Sequence, residues 1–292
     1  MTSLELFAGA GGAALGIRNA GVTALACVEW DADAAATLRA NGFPAVHGDV
    51  RDVNYGDLPH VDLLWASPPC QAWSGLGKRK GAEDERNGWP WTLDVAERVR
   101  PTWVVCENVP GSRAYIEAHV LPRLRELYTF VDVWHLDAAD YGVASHRSRL
   151  FVVAGPRPVK PPKGTTATTV SAVLPHLRDE GLAFFAHECN AGWGLARVPH
   201  HLDQPCHAIP AGSEKSHGGN GLLFVRAEAE EGKALVPGSK LHRRASVSEC
   251  AALMGFPAAH IFTGNTTSRR RQVGNAVPPP LAEAVVRAVR GG

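Results

Sequence analysis

The feature that most constrains the fold is a glycine-rich turn between a short strand and a helix at the start of the chain. The strand is predicted over Ser3–Phe7, the turn over Ala8–Gly12 and the helix from Ala13 to Ala20. This order opens nucleotide-binding α/β folds, in which glycines let the backbone approach a ligand at the helix N-terminus. Glycine in such a turn can also serve packing alone, so the choice between ligand binding and packing depends on the residues downstream.

Those residues favour a ligand. The second predicted strand, Thr23–Val28, ends in Glu29 and Trp30, and Glu29 stands 20 positions after Gly9. An acid at this distance can accept hydrogen bonds from ribose hydroxyls, and a neighbouring tryptophan offers a flat face to adenine. A solvated carboxylate and a packing aromatic are the alternatives. A third strand is predicted to end at Asp49, as a second polar group for the same ligand.

A second constrained turn, Ser67–Ser74, follows the apolar run Val61–Ala66, which is predicted to be a buried strand. Two prolines precede Cys70 and restrict the backbone there. A rigid turn suits a nucleophile, because its reach must be set before the substrate arrives, although a lone cysteine is more often a small buried apolar residue. The basic tip at Lys78–Lys80 is typical of a loop that closes over substrate, or of a solvated surface loop.

Two further sites lie at strand ends. A fifth strand, Trp103–Cys106, is predicted to end at Glu107, beside the strand that leads to Cys70. Doubly wound sheets bind their ligands at this edge. Arg147 and Arg149 alternate at the start of a later strand and are expected to point to one face, unless both are ordinary surface arginines.

Charge is unevenly distributed along the 292 residues. Residues 1–156 contain 14 Lys/Arg and 19 Asp/Glu, whereas residues 157–292 contain 16 and 10. A net charge of +1 therefore conceals a basic second half, which suggests a polyanionic partner. The six cysteines include no CxxC pair and predict a reducing compartment. No signal-like or membrane-spanning apolar run is present, so a cytoplasmic protein is expected.

The composition changes after Gly155. Residues 157–240 lack clear periodicity, and six of the 13 histidines lie between His176 and His217. Their spacing does not pair as metal ligands usually do, so no metal is expected. The predicted architecture is a doubly wound, mostly parallel α/β sheet in residues 1–156, a smaller irregular domain in 157–243, and a C-terminal segment, 244–292, whose last helix returns to the start of the sheet.

With these residues in view, the chain resembles the DNA (cytosine-5) methyltransferase family. Six segments match that family's motifs in the family's order, namely Leu6–Gly12, Pro68–Gln71 with Ser74, Glu107–Val109, Arg147–Arg149, Arg244–Pro257 and Gln272–Pro278. The resemblance implies a Rossmann-like fold that transfers a methyl group from S-adenosylmethionine to carbon 5 of a cytosine flipped out of duplex DNA. It also implies a target-recognition role for residues 157–243.

The resemblance assigns roles to individual residues. Cys70 would add to carbon 6 of the ring, Glu107 would supply a proton or strong hydrogen bond at ring N3, and Arg149, supported by Arg147, would stabilise charge at O2. The residues expected to bind the cofactor are Phe7, Ala8, Gly9, Ala10, Gly11, Gly12, Glu29, Trp30, Asp49, Val50, Pro69, Asn275 and Ala276. Those expected to contact DNA are Gln71, Ser74, Lys78, Arg79, Lys80, Arg269, Arg270 and Arg271.

Two other functions compete with this one. An RNA cytosine methyltransferase on the same scaffold is disfavoured by the basic insert, and a DNA-binding relative without catalysis is disfavoured because Cys70, Glu107 and both arginines are present. The chain departs from the family at Ser145, where glutamine is usual; activity is expected to survive the shorter side chain. A prokaryotic or phage-type monomer with a cognate restriction endonuclease as potential partner is expected.

Overall fold

The structure is a computed structural model that describes residues 1–69, 86–187, 200–211, 222–226 and 242–291. The chain divides into two compact units. The first comprises Met1–Asp137, Ser148–Lys163 and Ala282–Gly292, and the second comprises Ala138–Arg147 and Gly164–Leu281. The functional division at residues 156 and 243 stays a prediction.

The first unit is built on a seven-stranded sheet with the order β3-β2-β1-β4-β5-β7-β6. Its strands are β1 Thr2–Leu6, β2 Thr23–Glu29, β3 Ala45–His47, β4 Leu63–Ala66, β5 Trp103–Asn108, β6 Phe130–Asp137 and β7 Ser148–Gly155. The pairs among β1 to β5 are parallel, and β7 runs antiparallel to both β5 and β6. The predicted doubly wound, mostly parallel sheet is confirmed.

The position of the ligand crevice follows from this strand order. Strands β1 and β4 are neighbours, and the chain leaves them in opposite directions along the sheet. Ligands of such sheets bind beyond the carboxyl ends of the strands at this switch point. Here those ends lead to the glycine-rich turn after β1 and to the two prolines after β4. All four residues of β4 and all six of β5 are buried, so both strands belong to the core.

The helices of the first unit are α1 Gly12–Asn19, α2 Ala32–Ala40, α3 Trp89–Val99, α4 Arg113–Tyr115, α5 Leu121–Leu127 and most of α10, Pro279–Arg290. Helices α4 and α5 are joined by a π-helical stretch, Ile116–Val120. Pro122 explains the interruption, because its ring clashes with the carbonyl four residues earlier and it has no N–H to donate. Helix α3 contains Pro90 in its first turn, where proline is tolerated.

The second unit contains a four-stranded antiparallel sheet with the order β11-β10-β8-β9. Its elements are α6 Val170–Val173, α7 His176–Asp179, β8 Leu182–His187, β9 His200–His201, β10 Leu222–Arg226, β11 His242–Arg244, α8 Val247–Leu253 and α9 Thr266–Asn275. The expectation of irregular structure throughout 157–240 was therefore incomplete. Strand β10 showed no alternation because Leu222–Val225 is buried at every position.

Helix α8 begins with a reciprocal cap. Ser246 Oγ accepts a hydrogen bond from Glu249 N, and the Glu249 carboxylate accepts one from Ser246 N. Arg243 reaches the same carboxylate at 2.8 Å and Glu180 at 2.7 Å. Although burial alone would raise it, these hydrogen bonds lower the pKa of Glu249 to about 2. The cap and the arginine thus connect β11, α7 and α8.

Helix α9 contains the three consecutive arginines Arg269, Arg270 and Arg271. Asn265 caps its start by accepting a hydrogen bond from Ser268 N at 2.9 Å, and the helix continues through Asn275. Pro278 and Pro279 lie just beyond, where a helix cannot easily continue. Among the described residues, no helix is long and apolar enough to cross a membrane.

Candidate active site

The turn after β1 contains two glycines with different roles. Phe7, Gly9 and Gly11 all have positive φ, at 57°, 55° and 79°. A Cβ atom added to Gly11 would lie 2.9 Å from Leu38 Cδ2, whereas one added to Gly9 would meet nothing within 4 Å. Gly11 therefore serves packing against α2, and Gly9 leaves backbone open to a ligand. Phe7 in the left-handed region is the sterically disfavoured residue of this turn.

Glu29 connects this turn to the end of β2. One carboxylate oxygen accepts a hydrogen bond from Gly9 N and the other from Asp31 N, both at 2.7 Å. Burial raises the pKa of Glu29, and main-chain hydrogen bonds from Asp31, Gly9 and Trp30 oppose that shift. A carboxylate accepts about four hydrogen bonds, so acceptor capacity remains for a ligand. This geometry suits the two adjacent hydroxyls of a ribose.

Trp30 is unusual because 71% of it is exposed. A large exposed aromatic ring beside an oriented carboxylate is a suitable surface for a planar base. The main-chain carbonyl of Trp30 lies 2.9 Å from His47 Nε2 on β3, so the backbone under the ring is held by the neighbouring strand.

Asp49 and Val50 lie beyond β3, which ends at His47 and not at Asp49 as expected. The Asp49 carboxylate accepts three hydrogen bonds from Arg51, from the main-chain N and Nε at 2.9 Å and from Nη2 at 2.7 Å. The side-chain hydrogen bonds from Arg51 lower the pKa of Asp49. Val50 is buried, and its carbonyl accepts a 2.7 Å hydrogen bond from Tyr55 Oη. Sequence reasoning missed Arg51.

The two prolines after β4 are held from two sides. Asn108, the last residue of β5, donates from Nδ2 to the Pro68 carbonyl at 3.0 Å. A Cβ atom on Gly88 would lie 2.9 Å from Phe7 Cζ and from Pro68 Cβ, and 3.0 Å from Pro69 Cδ. The chain thus approaches the prolines closely on its way into α3. Sequence reasoning assigned no role to Asn108 or Gly88, because neither contact is visible in local patterns.

Six of the predicted site residues lie outside the described part of the chain, namely Cys70, Gln71, Ser74, Lys78, Arg79 and Lys80. Their roles stay predictions. Pro69, directly before Cys70, is described and half-buried.

Glu107 and Arg149 meet across the antiparallel pair β5 and β7. Glu107 faces Phe151 in the register, two positions from Arg149, and such diagonal neighbours are within reach of long side chains. Arg149 Nε lies 2.8 Å from Glu107 Oε1, with side-chain exposures of 14% and 10%. Arg149 Nη1 donates to the Ser148 carbonyl at 2.7 Å, which holds the guanidinium in place. The predicted acid and cation therefore form an ion pair at the carboxyl end of β5, the strand next to β4.

Arg147 has a different environment. It directly precedes β7, which begins at Ser148, and belongs to the second unit, whereas Arg149 lies in β7. Its buried guanidinium donates from Nη2 to the carbonyl of Asn275, at the end of α9, at 3.1 Å. Asn275 and Ala276, expected to bind cofactor, are described in the second unit.

Ser145 forms part of a two-stranded contact in the second unit. It bridges to Cys206, whose N donates to the Ala144 carbonyl at 2.9 Å and whose carbonyl accepts from His146 N at 2.7 Å. Ser145 is fully buried and donates from Oγ to the His207 carbonyl at 3.1 Å. The hydroxyl that replaces the family's usual amide therefore satisfies a main-chain acceptor.

The three consecutive arginines of α9 point in different directions, since adjacent residues are about 100° apart on a helix. Arg270 Nη2 donates to the Ala245 carbonyl at 3.1 Å, and Arg269 Nη2 lies 3.5 Å from Thr266 Oγ1. Arg270 thus has a structural partner within its unit. The DNA contacts of Arg269, Arg270 and Arg271 stay a prediction.

The described cysteines are poor nucleophile candidates. Cys27, Cys106, Cys206 and Cys250 are free and buried. Burial raises the pKa of all four thiols, to about 12 for Cys206 and about 11 for Cys250. A thiol must ionise to attack, so these four are chemically inert at neutral pH. Among the described residues, no group of three or more His, Cys, Asp or Glu is arranged to hold a metal ion.

Comparison with known proteins identifies the family. Residues 1–175 and 190–290 match the family described as C-5 cytosine-specific DNA methylase. The chain is 34% identical to the type II methyltransferase M.NaeI of Lentzea aerocolonigenes, covering 98% of this chain and 74% of that protein. It is 30% identical to M.AplI of Arthrospira platensis, covering 98% and 85%.

Solved structures agree on the fold. The Dnmt2 methyltransferase of S. pombe superposes with a TM-score of 0.73 at 18% identity, over 98% of this chain and 97% of that one. The glycine turn with its oriented carboxylate, the acid–arginine pair on β5 and β7, and the family match along nearly the whole chain agree, and the chain therefore belongs to the C-5 cytosine-specific DNA methylase family.

Proposed function

We propose that this DNA (cytosine-5)-methyltransferase acts through a covalent adduct between Cys70 and a cytosine flipped out of duplex DNA. The observation that supports this most strongly is the largely buried pair of Glu107 and Arg149, 2.8 Å apart, next to Asn108, which holds Pro68. The pair presents a carboxylate and a guanidinium side by side, and cytosine presents N3 and O2 on adjacent ring atoms.

This complementarity predicts an exchange of partners when the base enters. Arg149 would turn its donors to O2, and Glu107 would bind N3, so that each group replaces its present partner with a ring atom. Before the substrate arrives, each side chain would thus neutralise and orient the other. After it arrives, the guanidinium would stabilise the charge that develops at O2.

The Cys70 thiolate would bond to ring carbon 6 while the Glu107 carboxyl gives its proton to N3, so that carbon 5 becomes nucleophilic. S-Adenosylmethionine supplies an electrophilic methyl group when bound. Carbon 5 would take that methyl group as the bond from methyl to sulfonium breaks. Loss of the carbon 5 proton to water would then expel the Cys70 thiolate from carbon 6, and the N3 proton would return to Glu107. A base inside the duplex is out of reach, which is why it must be flipped.

The residues that would hold the donor fit it. Gly9 offers open backbone, the Glu29 carboxylate retains acceptor capacity, and Trp30 presents an exposed ring beside them. Glu29 would bind the ribose hydroxyls and Trp30 the adenine face. No lysine or arginine lies close to Glu29 in the sequence to bind a 2′-phosphate, which agrees with an unphosphorylated ribose.

The positioning of Pro68 leads to a testable expectation. Replacing Asn108 with alanine removes the donor to the Pro68 carbonyl and leaves a buried acceptor unsatisfied. We expect kcat to fall about 10- to 100-fold, because a displacement of about 1 Å at the nucleophile is sufficient for such a loss. Affinity for S-adenosylhomocysteine should change little. Steady-state kinetics and titration calorimetry measure the two effects.

Asn108→Asp keeps the size of the side chain and the acceptor for Val109 N but removes the donor, so it should resemble the alanine variant. Asn54→Ala serves as the matched control, since Asn54 is exposed and its side chain bonds Gly56 and Asp57 in its own loop. Full activity of Asn108→Asp, or an equal loss in Asn54→Ala, would exclude the proposed role of Asn108.

Type II relatives suggest that the enzyme modifies a defined sequence shared with a restriction endonuclease, in the cytoplasm of a prokaryotic cell. We propose that the segment from 157 to 243 reads this sequence through base edges in the groove. Bisulfite sequencing of DNA from cells that express the protein tests this. Methylated cytosines at one recurring sequence are expected; methylation without sequence context would contradict a type II role.

A further inference from the structure

The Asp49 carboxylate already accepts three hydrogen bonds, all from Arg51. A carboxylate accepts about four hydrogen bonds. Oδ1 already accepts from the main-chain N and Nε of Arg51, and Oδ2 accepts from Nη2 of the same residue. One acceptor position therefore remains, on Oδ2, and the bidentate guanidinium determines where it points.

Arg51 is itself fixed from the other side. Its guanidinium lies over the ring of Trp91, with Cζ 4.7 Å from the ring centroid. Trp91 lies in the first turn of α3 and packs against the core of the first unit. Arg51 is about half exposed, whereas the side chain of Asp49 is only 13% exposed. The cation–π contact and the two side-chain hydrogen bonds together limit the conformations of an otherwise mobile surface arginine.

The next residue is held as well. The Val50 carbonyl is occupied by Tyr55 Oη, and Tyr55 is buried. Within the described part of the chain, Asp49 Oδ1 accepts two hydrogen bonds, whereas Oδ2 and the main-chain carbonyls of Asp49 and Val50 accept one each. A purine whose edge faces this segment would meet the Asp49 carboxylate, which accepts a hydrogen bond from an amino group and repels a carbonyl oxygen.

From this geometry we infer that Arg51 is a positioning residue that makes the donor site selective for a 6-amino purine over a 6-oxo purine. This assignment rests on the proposed binding of S-adenosylmethionine next to Trp30. Arg51 does not touch the donor. It acts through Asp49, by orienting the remaining lone pair and by neutralising a carboxylate that would otherwise reorient toward water.

The test compares two ligands that differ only at that purine position. Calorimetric dissociation constants are measured for S-adenosylhomocysteine and S-inosylhomocysteine with wild type, Arg51→Met and Arg51→Lys. Methionine keeps a long apolar side chain over Trp91 but has no donors. We expect Arg51→Met to bind the adenosyl ligand about tenfold more weakly and the inosyl ligand within twofold of wild type. Arg51→Lys, which cannot bond both oxygens in parallel, should be intermediate.

The control is Arg113→Met, which removes an exposed arginine that pairs with Glu117 at 3.2 Å. It should change neither constant, and thermal unfolding should show all three variants folded. If Arg51→Met weakened the binding of both ligands equally, Arg51 would have a merely structural role. That result, or no weakening for either ligand, would overturn the role assigned to Arg51 and leave the proposed donor site standing. A wild type that binds neither ligand would overturn the proposed donor site together with it.

Discussion

Replacing Cys70 with serine is expected to abolish both turnover and covalent trapping on DNA that contains 5-fluorocytosine. Fluorine at carbon 5 cannot leave as a proton does, so a functional enzyme accumulates as an adduct that survives denaturation. Serine has nearly the same size but is a far weaker nucleophile at neutral pH. We expect kcat to fall at least about a thousandfold, and no slow-migrating complex should appear on a denaturing gel.

The matched control is Cys250→Ala. Cys250 is buried in α8, and burial raises the pKa of its thiol to about 11, so it cannot supply a thiolate. This variant should retain trapping at the wild-type level. An adduct formed by Cys70→Ser, or lost in Cys250→Ala with the fold intact, would show that Cys70 is not the nucleophile.

Glu107→Gln should produce the second large effect. Glutamine keeps the size of the side chain but cannot hold a proton for ring N3, and general acid catalysis of this kind contributes about 10²- to 10⁴-fold. We expect kcat to fall in that range, with the dissociation constant of S-adenosylhomocysteine within twofold of wild type. Single-turnover kinetics and calorimetry separate the two quantities.

The variant also leaves Arg149 without its carboxylate partner, and both side chains are largely buried. A loss of stability is therefore expected, and thermal unfolding must show that the protein is folded at the assay temperature. Glu117→Gln is the matched control, because Glu117 is exposed and its ion pair, with Arg113 four positions earlier, lies on the surface. Parallel losses of turnover and donor binding in Glu107→Gln would point to a structural role for Glu107.

Much of this site could be predicted because its residues follow strand ends. Gly9, Glu29 and Glu107 lie where a parallel sheet presents its ligand edge, and short apolar runs located the strands before them. The adjacency of β4 and β5 was also predictable, since consecutive strands in a doubly wound sheet are often neighbours.

The rest depends on contacts between residues that no local pattern connects. The hydrogen bond from Asn108 to Pro68 spans 40 positions and that from Arg147 to Asn275 spans 128. Arg51 appears in sequence as one more surface charge, and only the structure shows both its bidentate contact and Trp91 behind it. Ser145 appears in sequence as a departure from the family's usual glutamine, and only the structure shows that its hydroxyl donates to a main-chain carbonyl 62 positions away.

The most direct test of the account is the identity of the nucleoside that receives the methyl group. The purified protein is incubated with S-adenosylmethionine labelled in the methyl group and with either duplex DNA or tRNA, and the nucleic acids are digested to nucleosides and separated. The account predicts label in 5-methyl-2′-deoxycytidine from DNA, and none from tRNA or from the Cys70→Ser variant. Label in 5-methylcytidine from tRNA alone, or in neither substrate, would contradict it.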